Sequence, residues 1–142
     1  MSKKLTAMLK HHEGSKTHAY KCTANKVTIG VGRNIDKDGG LGLSKDEINY
    51  LLRNDIERVE DELSRRLPFV IELSDVRLDA LIDICFNLGL PRFLKFKKAL
   101  RALENHDYDL AAREFMDSRW ATQVGQRAVT VCNMIRTGKY KG

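Results

Sequence analysis

Apolar positions change their period twice along this chain, and the changes divide it into three stretches. Over residues 3–12, Leu5, Met8, Leu9 and His12 recur at helical spacing on one face, and Gly14 can end the helix. Residues 17–36 lose that period. They break into short segments rich in Thr, Val, Ile and Gly, namely Thr17–Cys22, Lys26–Gly32 and Arg33–Asp36, with a turn signal at Ala24-Asn25. This predicts a small antiparallel sheet of two or three strands, too small to stand without helices to lean on. A loop follows through Asp38, Gly39, Gly40 and Gly42.

From Ser44 the helical period returns. Ser44 and Glu47 form a capping box, in which hydroxyl and carboxylate each satisfy a backbone N–H of the other residue. Ile48, Leu51, Leu52, Ile56, Val59 and Leu63 then continue one stripe, predicting a long helix over about 45–66 closed by Pro68. The stripe is narrow for that length, so the helix is expected to be partly solvated along its middle. Ser74 can cap the next helix, where Leu78, Ala80, Leu81, Ile82, Ile84, Cys85 and Phe86 are apolar on nearly every face, which predicts burial. The run Asn87-Leu-Gly-Leu-Pro91 breaks it. Helices are expected near 92–104, 108–116 and 125–137, the last with Ala128, Val131, Cys132 and Ile135 on one face and Gly138 as its stop. Strands segregated from helices give an α+β class. The expected arrangement over residues 1–142 is one domain of two lobes: a sheet lobe at about 13–45, a connecting helix at 45–66, and a helical lobe at 67–142. The first helix, 3–12, is expected to pack back on the helical lobe.

Composition narrows the partners. The 142 residues are 42% apolar and 31% charged, a globular balance. No apolar run approaches the roughly 20 residues that span a bilayer. The N-terminal MSKKLTAMLKHHEG lacks the apolar stretch of a secretory signal. Three cysteines, Cys22, Cys85 and Cys132, make a poor disulfide set with no metal-ligand spacing, so neither metal nor cofactor is expected. Cys85 and Cys132 read as small buried hydrophobes, whereas Cys22 sits in a polar segment. A net charge of +6 predicts attraction to polyanions, among them nucleic acid, acidic lipid and the bacterial envelope. Charges of both signs alternate, as in RNDIERVEDELSRR, which argues against a nucleic-acid binder.

Candidate chemistry lies at the first change of period. Glu13 ends the first helix, Cys22 ends the first strand segment and Thr28 lies in the second; a turn near Ala24-Asn25 can bring Cys22 and Thr28 to one mouth facing Glu13. Glu13, eight residues, Cys22, five residues, Thr28 resembles the catalytic signature of the phage T4-type lysozymes, whose pattern carries Asp or Cys at the middle position. The likeness extends through His18-Ala-Tyr-Lys21, Thr28-Ile-Gly-Val-Gly32, Ser44-Lys-Asp-Glu47, Ser118-Arg-Trp120, Arg127-Ala128 and Arg136-Thr-Gly138.

The resemblance implies a two-lobed fold with a cleft between the lobes. It also implies a hydrolase that cleaves peptidoglycan between N-acetylmuramic acid and N-acetylglucosamine with inversion at the anomeric carbon. Glu13 would be the general acid. It places Arg127 beside Glu13, Asn34, Phe86 and Asn87 against substrate, and Asp55 as partner of Arg33, which stands where a histidine is common. Trp120 reads as a structural aromatic. Ala99 and Glu114 occupy contact positions with changed chemistry and inherit no role. For Cys22 three roles stay open: thiolate base for water, covalent nucleophile, or passive filler beside Thr28. The base ranks first because the Thr28 hydroxyl is retained. The competing class is a degenerate protein that binds peptidoglycan without cutting it. The resemblance further implies a monomer, without stable membrane insertion, held in the host cytoplasm until a separate holin releases it. A prophage or antibacterial-effector origin is equally compatible.

Overall fold

A computed structural model describes residues 2–140. The chain begins with α1 (Lys3–Glu13), capped by Ser2, whose hydroxyl accepts from the Leu5 N–H. Strands β1 (Lys16–Lys21), β2 (Val27–Gly30) and β3 (Arg33–Asn34) follow as one antiparallel sheet in that spatial order. Tyr20 lies opposite Thr28 and Lys21 opposite Val27, and the ladder is irregular between Lys16 and Tyr20. Asn25 adopts a left-handed φ of 61° in the β1–β2 turn, a conformation asparagine tolerates. Helix α2 spans Lys45–Arg66, as its capping box and stripe predict, and the box is closed in both directions at 2.8 and 3.1 Å. A 3-10 turn over Pro68–Glu72 leads to α3 (Asp75–Leu88), whose cap is Ser74.

Beyond α3 the helices are shorter than their pattern predicts. The stretch 92–104 is two helices, α4 (Leu90–Phe93) and α5 (Lys97–Glu104), parted at Leu94–Phe96. Helix α6 (Tyr108–Met116) is as expected, but a six-residue helix, α7 (Arg119–Val124), precedes α8 (Gln126–Thr137). Ser118 caps α7 by accepting from the Ala121 N–H, and Gly125 separates α7 from α8. Among the described residues no helix is long and apolar enough to cross a membrane.

The chain forms two compact units, one through Leu51 and one from Leu52, so α1 falls with the sheet. Among the described residues all the buried apolar side chains lie in the second unit, from Val59 to Ile135. Leu63, Leu81, Ile84, Phe93, Leu103, Phe115 and Ile135 are fully enclosed. Phe115 packs against Phe93 and Phe96 with ring centroids 6.2 and 4.9 Å apart, and Trp120 meets Phe96 edge-on. Arg77 of α3 ties the outer helices down. Its guanidinium stacks 3.6 Å over the Tyr108 ring and donates to the carbonyls of Ile135 and Arg136, orphan acceptors at the end of α8. One expectation fails on α3: Phe86 is 43% exposed, because the helix turns Asp79, Asp83 and Phe86 outward together at intervals of four and three residues.

The first unit is organised differently. Thr28 is its one buried residue among those described; no residue of α1 is buried, and Leu5, Met8 and Leu9 are each nearly half-exposed. Ile48, Leu51, Leu52 and Ile56 of α2 are also exposed, which accords with a helix solvated along its middle. Polar contacts do the fastening. Arg33 makes a two-pronged ion pair with Glu47, at 2.9 and 2.5 Å, and donates to the Gly42 carbonyl. The Asp36 carboxylate accepts from the Val27 and Asp38 amides.

Two outcomes follow. Leu81→Ala should destabilise the second unit by about 2–5 kcal/mol in urea unfolding, whereas Leu41→Ala, at a side chain 76% exposed, should stay within about 0.5 kcal/mol. The second concerns Glu47. Its hydrogen bonds from Arg33, with those from Ser44, hold its carboxyl down at about 2. A carboxyl lowered in the folded state adds stability above its ordinary value and loses it as pH falls toward the lowered one. Carboxyl NMR should therefore find Glu47 titrating near 2, with protection of the sheet declining between about pH 4.5 and 2. In Arg33→Ala the midpoint should return toward the ordinary range; an unmoved midpoint would reject the ion pair as its cause.

Candidate active site

The β1–β2 hairpin builds the first half of the site. Cys22 follows the last residue of β1. Its amide donates to the Lys26 carbonyl at 3.0 Å and its carbonyl accepts from Asn25 at 2.8 Å, so the turn closes on Cys22 itself. The Lys26 and Ala24 amides and the Thr28 hydroxyl are within hydrogen-bonding reach of the Cys22 thiol. These hydrogen bonds, the Lys26 amide foremost, hold the thiol below its ordinary value. Thr28 is 4% exposed and its hydroxyl also donates to the Lys26 carbonyl at 2.9 Å. A hydroxyl has one proton. While that proton serves the carbonyl, the Thr28 oxygen can only accept from a neutral thiol. Stabilising a thiolate requires it to turn toward sulfur. Ionisation of Cys22 and the rotor state of Thr28 are thus linked.

Glu13 closes the last turn of α1, and Gly14, with φ 80°, turns the chain away toward β1. The carboxylate lies on the β2–β3 turn. A Cβ placed on Gly32 would meet Glu13 Oε2 at 2.7 Å and Cδ at 2.9 Å. The hairpin therefore brings Cys22 and Thr28 together directly, while Glu13 rests on a second turn of the same sheet, four residues beyond Thr28.

The remaining expected residues divide between scaffold and surface. Asn34 uses its carboxamide oxygen to accept from the Asp36 amide and its carbonyl to accept from Leu41 and Gly42, so it shapes the loop after β3 and leaves its amide nitrogen for any ligand. The Asn87 oxygen accepts from the Trp120 indole at 3.0 Å. That bond satisfies the N–H of a tryptophan only 3% exposed, which makes Trp120 the structural aromatic expected. Phe86 lines an open cleft of about 430 Å3 in the second unit, together with Ile56, Ile82, Asp83, Arg127 and Tyr140.

Arg33 pairs with Glu47 and not with Asp55, and Arg127 is held by a carboxylate of its own unit. The Arg33 guanidinium is taken by Glu47, while Asp55 sits 3.5 Å from Arg58 on its own helix. Glu47 wins because the capping box already fixes its carboxylate at the start of α2. Arg127 donates through Nε to Asp83 Oδ1 at 2.8 Å and through Nη2 to the Asp83 carbonyl. Asp83 escaped sequence reasoning because its helix reads as buried on nearly every face; its spacing from Asp79 and Phe86 was the available signal. Asp79 in turn accepts from the Tyr140 hydroxyl, which raises the Tyr140 phenol. Gly32 was read only as part of the sheet motif; its contact with Glu13 depends on a turn that no spacing rule specifies.

Comparison with known proteins gives a consistent picture. The family model described as phage lysozyme matches residues 10–135. A Dictyostelium discoideum protein named "Probable T4-type lysozyme 2" is 28% identical, over 99% of this chain and 98% of its own. A protein named "Endolysin", from Acyrthosiphon pisum secondary endosymbiont phage 1, is 29% identical over 89% of this chain and 85% of its own. "Probable T4-type lysozyme 1" of Dictyostelium discoideum is 26% identical over 92% of both chains.

The three thiols should separate chemically. Burial pushes Cys85 and Cys132 up to about 11, whereas the Cys22 thiol is lowered and partly exposed. Iodoacetamide at pH 7.5 should label Cys22 first, with a pH–rate midpoint below 9 that rises in Thr28→Val. Equal labelling of all three cysteines in the folded protein, read by peptide mass, would contradict this geometry.

Proposed function

Because the chain belongs to the phage lysozyme family, we propose that it works as an endolysin, hydrolysing the β-1,4 bond between N-acetylmuramic acid and N-acetylglucosamine with inversion. It is a glycoside hydrolase of the lysozyme kind, and peptidoglycan is its substrate. The observation that carries the finer reading is the pairing of a lowered, hydrogen-bonded thiol with a buried threonine hydroxyl, on the sheet that also seats an exposed carboxyl.

Breaking a glycoside needs a proton for the leaving oxygen and a nucleophile for the oxocarbenium-like carbon. Glu13 gives its proton to the glycosidic oxygen as the C1–O bond lengthens. A water attacks C1 from the opposite face, oriented by Thr28, and passes its proton to the Cys22 thiolate. Both groups then exchange protons with solvent, returning Glu13 to the acid and Cys22 to the thiolate. The thiolate role fits a sulfur facing two amide N–H groups, since these stabilise the charged form and cost the neutral form nothing. Phe86 offers a half-exposed ring for stacking on a sugar face, and the Asp83 pair fixes the Arg127 guanidinium. In our reading the protein is a monomer that stays in the host cytoplasm until a membrane pore of the holin type gives it access to the wall.

The test is clearing of a peptidoglycan suspension. Glu13→Gln should fold normally and lose about 10²–10⁴-fold in rate, the usual share of general acid catalysis. Clearing by that variant at wild-type speed would reject Glu13 as the acid. A wild-type protein that sediments with peptidoglycan without releasing sugars would be a binding protein instead. Cys22→Asp should remain active with its profile moved to lower pH, and Cys22→Ser should be slow, because a hydroxyl is a far weaker base. NMR should find the first-formed product inverted; a retained anomer with a covalent adduct on Cys22 would make the thiolate a nucleophile.

A further inference from the structure

Any side chain at Gly32 meets two obstacles, the positive φ of its own backbone and the Glu13 carboxylate. A Cβ at this position would lie 2.7 Å from Glu13 Oε2, 2.9 Å from Cδ and 3.1 Å from Cγ, against an ordinary contact distance of at least 3.4 Å. The whole outer half of the Glu13 side chain thus occupies the space a side chain at residue 32 would fill. These atoms are the free end of a flexible chain at the exposed end of α1. A methyl group there would move the carboxylate rather than the backbone, displacing Oε2 by about 0.7 Å or more. We infer that Gly32 is a positioning residue for hydrolysis, its bare backbone being the seat that sets where the Glu13 carboxyl is held. This rests on the reading of Glu13 as the proton donor.

The sheet supplies its own control. Gly30 and Gly32 have nearly the same positive φ, 68° and 65°, so alanine meets a φ penalty at either place. A Cβ on Gly30 finds nothing within 4 Å. The two glycines therefore share the strain and differ in the carboxylate.

Gly30→Ala and Gly32→Ala should lower the melting temperature alike. On soluble peptidoglycan fragments, Gly30→Ala should keep kcat within a few-fold. Gly32→Ala should lose about a hundredfold in kcat with KM little changed, the scale expected when a reacting group is misplaced by about 1 Å. On a Glu13→Asp background, where the carboxyl is withdrawn by one methylene, Gly32→Ala should cost at least tenfold less than on the wild type. If Gly32→Ala does not fold, Gly32→Asn places the same Cβ with a residue that accepts left-handed backbone. Equal kcat in the Gly30 and Gly32 variants, or an undiminished cost on the Asp background, overturns the inference. Full activity in Glu13→Gln would remove the reading beneath it, a separate result.

Discussion

The first unit holds its sheet and turns without an apolar core among the described residues, and the Arg33–Glu47 pair is the contact that makes this possible. Glu47 receives the Ser44 amide and both prongs of Arg33, while Arg33 also reaches the Gly42 carbonyl. One ion pair thus joins the end of the sheet, the loop behind it and the first turn of α2. Polar fastening is directional: each hydrogen bond fixes an angle as well as a distance, where apolar packing of so small a sheet would fix neither. Thr28 is buried within this frame with its hydroxyl committed, and the Cys22 turn is closed by its own backbone.

The second unit solves the opposite problem. Its core is large and its helices short, so it must stop short helices from fraying. Helix α8 ends on carbonyls that Arg77 satisfies from α3, with Gly138 left-handed beyond them, and α7 is capped by Ser118. Asp83 and Phe86 face outward from the same α3 that supplies Ala80, Leu81, Ile84 and Cys85 to the core. The cleft-lining face is thereby rigid for the reason the opposite face is buried.

How much of this was legible in the sequence follows from the range of each signal. Caps are local, so Ser44, Ser74 and Gly138 marked true helix ends, and the stripe from Ile48 to Leu63 bounded α2 correctly. The spacing of Glu13, Cys22 and Thr28 pointed to the sheet, whose first hairpin holds Cys22 and Thr28 and whose second turn meets Glu13. What failed was non-local or degenerate. The separation of α4 from α5 lies in an apolar run whose period continues through the break. The exposure of Phe86 depends on which neighbours cover α3, and a helix apolar on nearly all faces does not say which face wins. Arg33 pairs with Glu47 because an ion pair goes to the carboxylate the fold has already immobilised, here by the capping box. A family pattern names a position but not the loop lengths that decide its reach.

The substitution at Cys22 can be understood from the cradle rather than from the residue. Two amides and a hydroxyl converge on the side-chain position, an arrangement that favours any anion placed there. An aspartate in that cradle would keep its charge to lower pH than a thiol does, so the acidic limb of any activity that needs the anion would move down. A thiol gains its charge at higher pH than a carboxyl, and its ionisation draws the Thr28 proton away from the Lys26 carbonyl. The cysteine version therefore couples charge at residue 22 to the rotor of its neighbour, a coupling a carboxylate with two oxygens would not need. In the proposed mechanism the hairpin keeps the requirement for an anion and moves the pH at which it is met, because the backbone, more than the side chain, defines the cradle.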